Sequence, residues 1–144
     1  MTVLFSPLGL AYGSLYSAIL LVRPQRVVVV TSHQALVDLH TAVDAARFYH
    51  GSFEMETHLL DDPLAGFVEG RQLARFLAAS ADGDNVVNLT GGTTVLQDCV
   101  RSVADILRAQ SRLVREVAVV DRRAADEQRR VPLVVGELVE VPPL

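Results

Sequence analysis

The stretch Asn85–Val100, NVVNLTGGTTVLQDCV, decides how the rest of the sequence is read. An apolar run ending in Asn88-Leu89 meets Thr90-Gly91-Gly92-Thr93-Thr94. Beyond it, Leu96, Cys99, Val100, Val103, Ile106 and Leu107 fall on one helical face. The pattern is a strand, a tight turn and an amphipathic helix. Adjacent glycines let a backbone turn sharply and approach a ligand closely, and free amides at a helix start grip an anion. The same residues also suit any strand-to-helix turn, where Gly and Thr serve turn geometry and capping. Taken alone, the motif leaves both readings open.

Upstream, residues 2–6 (TVLFS) read as a short buried strand followed by the loop SPLGLAYG. Tyr12, Leu15, Tyr16, Ile19 and Leu20 then keep helical spacing until Arg23-Pro24 ends the helix. RVVVVTS is a second strand whose unbroken β-branched run predicts a sheet covered on both faces. Ser32 is placed to cap the next helix, with Leu36, Leu39, Val43 and Ala46 on one stripe. SFEMETHLL reads as a third strand, and Asp62-Pro63 opens a helix that runs to AASADGD, where Gly83 serves the turn. Downstream of the opening stretch, REVAVV is a fifth strand and VPLVVGELVEV a sixth. The connection between them, DRRAADEQRR, reads as a solvated turn with no chemistry.

Strands alternating with helices demand right-handed crossovers and parallel pairing. The last strand, arriving over a short connection, is expected antiparallel to the fifth. The predicted class is therefore α/β: a Rossmann-like three-layer sandwich with a mainly parallel sheet and an antiparallel C-terminal strand, in a single domain over residues 1–144.

Composition narrows the function. With 50% apolar residues in 144, the chain can build one real core. No apolar run reaches the roughly 18 residues of a membrane span, and the N-terminus lacks the basic region of a secretory signal, so a cytoplasmic protein with no membrane partner is expected. The single cysteine, Cys99, lies on an apolar stripe and reads as a small core residue. The formal charge of −4 gives no global basic field for long nucleic acid. All 13 basic residues are arginine, which excludes a P-loop. No His, Cys or carboxylate cluster has metal-ligand spacing, so neither a metal nor another cofactor is expected.

In such sheets ligands bind outside the carboxyl ends of the strands, near the point where strand order reverses. Three loops converge there: SPLGLAYGS after strand one, TSH after strand two and LTGGTT after strand four. Dinucleotide binding needs G-x-G-x-x-G in the first turn and a carboxylate about 20 residues on. Gly9 and Gly13 are spaced differently, and strand two ends in Thr31-Ser32-His33.

Ser-Pro-x-Gly before an amphipathic helix, RVVVVTS on strand two and NLTGGT after strand four together resemble the CRISPR-associated Rossmann-fold (CARF) domain family over essentially the whole chain. The resemblance implies a homodimer that binds cyclic oligoadenylate, with cyclic tetra-adenylate favoured, across its interface. Carried over by position, it places Ser6, Gly9, Tyr12 and Gly13 from the first loop in the ligand pocket. Thr31, Ser32 and His33 from the second join them, as do Thr90, Gly91, Gly92, Thr93 and Thr94 from the third; Asn88 is read as structural. Tyr12 and Tyr16 either stack on adenine or pack in the core.

Arg26 and His33 have the Arg-x6-His spacing of HEPN ribonucleases, but the segment between them reads as a strand, whereas that motif sits on a helix. A sensor domain without an effector is similar to the ring nucleases, which open the messenger and switch off type III CRISPR signalling in antiviral defence. Such cleavage is metal-independent when the ligand's ribose 2′-hydroxyl attacks the adjacent phosphate. The catalytic candidates are Ser6, His33 and Thr94. Thr94 stands where many relatives carry Lys, so the cation must come from an Arg elsewhere or from His33. The alternative is a sensor or sink that binds without cleaving, acting through a partner or as part of a longer sensor-effector chain. An unrelated Rossmann-like nucleotide-binding domain is a third reading. Gly91→Val is expected to abolish binding and leave the fold mostly intact.

Overall fold

Four consecutive valines, Val27 to Val30, are fully buried, which requires a strand covered on both faces. In the computed structural model, which describes residues 1–144, that strand is β2 (Arg26–Thr31). It lies between β1 (Thr2–Pro7) and β3 (Glu54–Leu59). β4 (Asp84–Asn88), β5 (Val114–Val120) and β6 (Glu137–Val141) continue beyond β1, giving one six-stranded sheet in the order β3-β2-β1-β4-β5-β6. All pairings are parallel except β5 with β6, which runs antiparallel from Glu116 opposite Val141 to Val120 opposite Glu137. The expected Rossmann-like sandwich with an antiparallel last strand is what the chain forms.

The strand period of two assigns each residue to a face. Val28 and Val30 join Val3, Phe5 and Val87 in one core under α3 (Phe67–Ala79) and α4 (Thr94–Ala109). Val27 and Val29 join Leu4, Val86, Val117 and Val119 in the other, under α1 (Gly13–Val22) and α2 (Leu36–His50). α4 buries Leu96, Cys99, Val100, Val103 and Leu107, the stripe read from the sequence. Arg71 of α3 pairs through Nε with Asp98 of α4 at 3.1 Å and bridges the two helices on their exposed side. No helix is long and apolar enough to cross a membrane.

Three local readings change. Asp62 accepts from the amides of Leu64 and Ala65 and closes a turn, so α3 starts later, at Phe67. Ser32 precedes a 3₁₀ turn, His33–Ala35, without a side-chain cap bond, and α2 follows it. DRRAADEQRR contains a short helix, α5 (Ala125–Arg130), with Asp126 and Glu127 in its first turn and Arg129 and Arg130 in its last. That charge order suits the helix dipole.

The sixth strand is also shorter than read, because residues 131–136 leave the sheet and cross α1. Pro132 has no amide to give a ladder. The Ser17 hydroxyl accepts from the Gly136 amide at 3.0 Å and donates to the Val134 carbonyl at 3.4 Å, so these groups bond to α1.

Cys99 is fully buried, and desolvation, with a smaller contribution from the Asp98 charge, pushes its thiol from 9.0 up to about 12. A raised thiol pKa stabilises the fold fully below the unfolded value, and this contribution is lost as pH rises between 9.0 and about 12. At pH 8 the native protein is expected to resist a thiol reagent and the urea-unfolded protein to react at once. Rapid labelling of the native state would contradict the packing of α4.

Candidate ligand-binding site

The strand order reverses between β1 and β4, and the loops leaving these strands touch through their backbones. A Cβ on Gly9 would lie 2.7 Å from the Gly92 Cα, so only glycine permits the approach. Gly91 and Gly92 both have positive φ, 100° and 75°, as the tight turn requires. The turn is held from below by Asn88, which is fully buried. Its amide nitrogen donates to Ser6 Oγ at 3.0 Å and to the Thr90 carbonyl at 3.2 Å, and its oxygen accepts from the Thr90 amide at 3.1 Å. The Thr90 hydroxyl accepts from the Val119 amide at 2.9 Å, fixing the turn to β5 as well.

Beside this turn, on the α1 side of the sheet, opens a cavity of about 780 Å³. Leu10, Ala11 and Tyr12 lead into it from the first loop, and Gly13, Ser14 and Ser17 of α1 form one wall. Thr90 and Gly91 form a second wall with Val119, Val120 and Asp121 at the end of β5. Ala125, Gln128 and Arg129 of α5, with Pro132, form the third. The volume lies within the roughly 300–1,000 Å³ typical of small-ligand pockets.

The polar groups facing this space favour an anion. α1 has no side-chain cap and no acidic residue in its first turn, and the amides of Gly13, Ser14 and Leu15 have no protein acceptor. Such a helix start carries partial positive charge and free donors. The start of α4 differs, because Thr93 Oγ1 accepts from the Leu96 amide at 3.3 Å and donates to the Pro63 carbonyl. Arg129 makes no ion pair with any carboxylate. Asp121 is the one acidic group in the lining, and hydrogen bonds from the Arg123 guanidinium and amide hold its carboxyl below the usual range. It therefore stays ionised and is neutralised by Arg123.

Of the residues read from the sequence, Tyr12, Gly13, Thr90 and Gly91 line this cavity. Ser6 and Thr31 are buried, their hydroxyls donating to the Pro7 carbonyl at 3.0 Å and the Leu8 carbonyl at 2.7 Å. Gly9 and Gly92 face each other, and Thr93 caps α4. Ser32 and the exposed His33 lie past the end of β2, outside the cavity. Thr94 borders a separate hollow of about 170 Å³ with Gln97, Asp98 and Arg101. None of Ser6, His33 and Thr94 lines the larger cavity. Among the other histidines, His50 lies 2.7 Å from the Pro24 carbonyl and His58 2.7 Å from Glu56. No three His, Cys, Asp or Glu side chains gather as a metal-binding group.

Sequence reading missed the whole third wall. Acidic residues followed by basic ones in ADEQRR are a helix signal, but nothing local says that this helix turns back over β5.

The fold is that of a Rossmann-like α/β domain with its crevice at the switch point, and solved structures share it. Can2 from Sulfobacillus thermosulfidooxidans, in complex with cyclic tetra-adenylate, matches with a TM-score of 0.67 at 13% identity, covering 83% of this chain and 32% of its own. Protein VC1899 from Vibrio cholerae matches with a TM-score of 0.57 at 14% identity, covering 83% of this chain and 30% of its own. The chain thus spans about a third of the length of either structure. The likeness shows that the Rossmann-like fold is shared. No family model and no curated protein matches the sequence.

Gly91 does not offer a clean test of binding, contrary to the sequence expectation. Its φ of 100° strains any side chain, and a Cβ would lie 2.8 Å from Ser14 Oγ, so valine disturbs the loop itself. The informative structural change is Asn88→Leu, which keeps the volume and removes three hydrogen bonds. It is expected to cost about 2 kcal/mol in urea unfolding, since buried partners are left unpaired. Unaltered stability would show that Asn88 does not hold the turn.

Proposed function

We propose that this chain binds cyclic oligoadenylate, cyclic tetra-adenylate first, with part of the ring in the cavity beside Gly91 and the whole ring shared by two copies of the chain. The observation that carries this reading is the uncapped start of α1, with free amides at Gly13, Ser14 and Leu15, facing an amphipathic cavity at the switch point. Phosphodiesters suit those amides, and Leu10, Ala11, Val119 and Ala125 offer apolar surface to a base. The fold shared with Can2, and the cyclic tetra-adenylate bound to Can2, support the same assignment.

A four-nucleotide ring outsizes one such pocket, which is the physical reason for a pair. Leu10, Leu64 and Val68 are exposed at 70%, 77% and 74%, at the end of the sheet that bears the Gly-Gly turn, and they provide apolar surface for a homodimer.

Within that reading, the bound ring opens when a ribose 2′-oxygen attacks the neighbouring phosphorus. The bond from 2′-oxygen to phosphorus forms and the bond from phosphorus to the 5′-oxygen breaks. A 2′,3′-cyclic phosphate remains, and the proton leaving the 2′-hydroxyl ends on the 5′-oxygen. The protein's part is to align the two oxygens and stabilise the added charge. The second reading, a sensor or sink that does not cleave, is favoured by one observation: Ser6, His33 and Thr94 all lie outside the cavity.

The test is incubation of the protein with labelled cyclic tetra-adenylate in excess EDTA, followed by separation of bound, free and linear species. Retention of label with one ring per two chains is the expected result. Linear product ending in a cyclic phosphate makes the protein a metal-independent ring nuclease, and retention without product makes it a sensor or sink. Absence of both withdraws the ligand.

A further inference from the structure

The ten residues Asp121–Arg130 include four arginines, and the fold treats one differently from the rest. Arg122 pairs with Glu137 at 2.6 Å, Arg123 with Asp121 at 2.8 Å and Arg130 with Glu127 at 3.0 Å. Arg129 has no carboxylate partner and lines the cavity together with Ala125 and Gln128, which share its helix face.

The segment that carries it is tied to itself. Arg123 donates through Nη1 to the Val131 carbonyl at 2.8 Å. Gln128 Nε2 donates to the carbonyls of Asp121 and Arg123 at 3.2 and 2.8 Å. These bonds close both ends of the connection and fix which face of α5 meets the cavity. The one acidic group in the lining, Asp121, is neutralised within the same network by Arg123. An unpaired guanidinium beside a cavity suits a phosphodiester, because its planar fork can take two oxygens of one phosphate.

We infer that Arg129 supplies the cation that holds a ligand phosphodiester in the cavity, and that the β5–β6 connection serves to present it. The inference rests on the cyclic oligoadenylate reading above.

Wild type, Arg129→Gln, Arg129→Lys and Arg23→Gln are titrated with labelled cyclic tetra-adenylate at several salt concentrations. Arg23, exposed at the far end of α1, controls for the change in net charge. Arg129→Gln is expected to bind about tenfold more weakly. The slope of log affinity against log salt should shrink by about 1.4, about 0.7 for each of the two arginines lost per ring. Arg129→Lys should recover part of the slope, Arg23→Gln should match wild type, and all should melt alike. Binding by wild type with the same affinity and slope in Arg129→Gln overturns the inference and leaves the ligand standing. Failure of wild type to bind overturns the ligand and the inference with it.

Discussion

The site depends on one contact, the meeting of two glycine backbones where the sheet changes direction. Between β1 and β4 the chain continues to opposite edges of the sheet, which opens a crevice at their carboxyl ends. Gly9 and Gly92 close its floor at a separation that a single Cβ would violate. Asn88 makes the contact durable, because its bonds reach the end of β1 through Ser6 and both backbone polar groups of Thr90. A buried side-chain amide with these partners satisfied specifies one arrangement of the two loops. The hydroxyl of Ser6, a catalytic candidate in the sequence, is part of that bracket.

A second constraint comes from α1. The helix is apolar nearly all round, so one face against the sheet does not satisfy it. α2 covers one flank, and residues 131–136 cover the other, with Ser17 small enough to let them approach and polar enough to bond them. Gly13 admits the same segment at the helix start, where a Cβ would lie 2.5 Å from the Pro132 carbonyl. The path needed to cover α1 carries the β5–β6 connection past the switch point, and the cavity acquires its third wall as a result.

These two constraints explain what the sequence made legible. Strand and helix identities follow from burial, and burial follows from periodicity: the valines of β2 and the stripe of α4 read directly because each buries a continuous surface. The Gly-Gly turn was legible for the same local reason, since positive φ demands glycine. The functional surface was legible only in part. Tyr12, Gly13, Thr90 and Gly91 sit where the loops predicted. Thr31 and Ser6 do not, because a hydroxyl in a loop motif says nothing about whether it points to ligand or backbone. Arg129 was hidden in a charge run whose composition is that of solvent-exposed chain. Its place beside the cavity comes from tertiary path, which no local pattern encodes.

The chemistry open to the cavity follows from what it lacks as much as from what it holds. Its ionisable lining is Tyr12, Asp121 and Arg129, with the carboxylate kept charged by Arg123. Neither charged group is suited to carry a proton at neutral pH, and the nearest candidate by sequence, His33, lies elsewhere. Ring opening by the ligand's own 2′-hydroxyl makes the smallest demand on such a site, because nucleophile and electrophile both belong to the ligand. The protein then contributes alignment from a rigid floor and charge stabilisation from amides and one arginine. A pocket built this way suits a phosphodiester with or without cleavage, and under the proposed function the difference between sensor and nuclease reduces to the in-line angle that the bound ribose adopts.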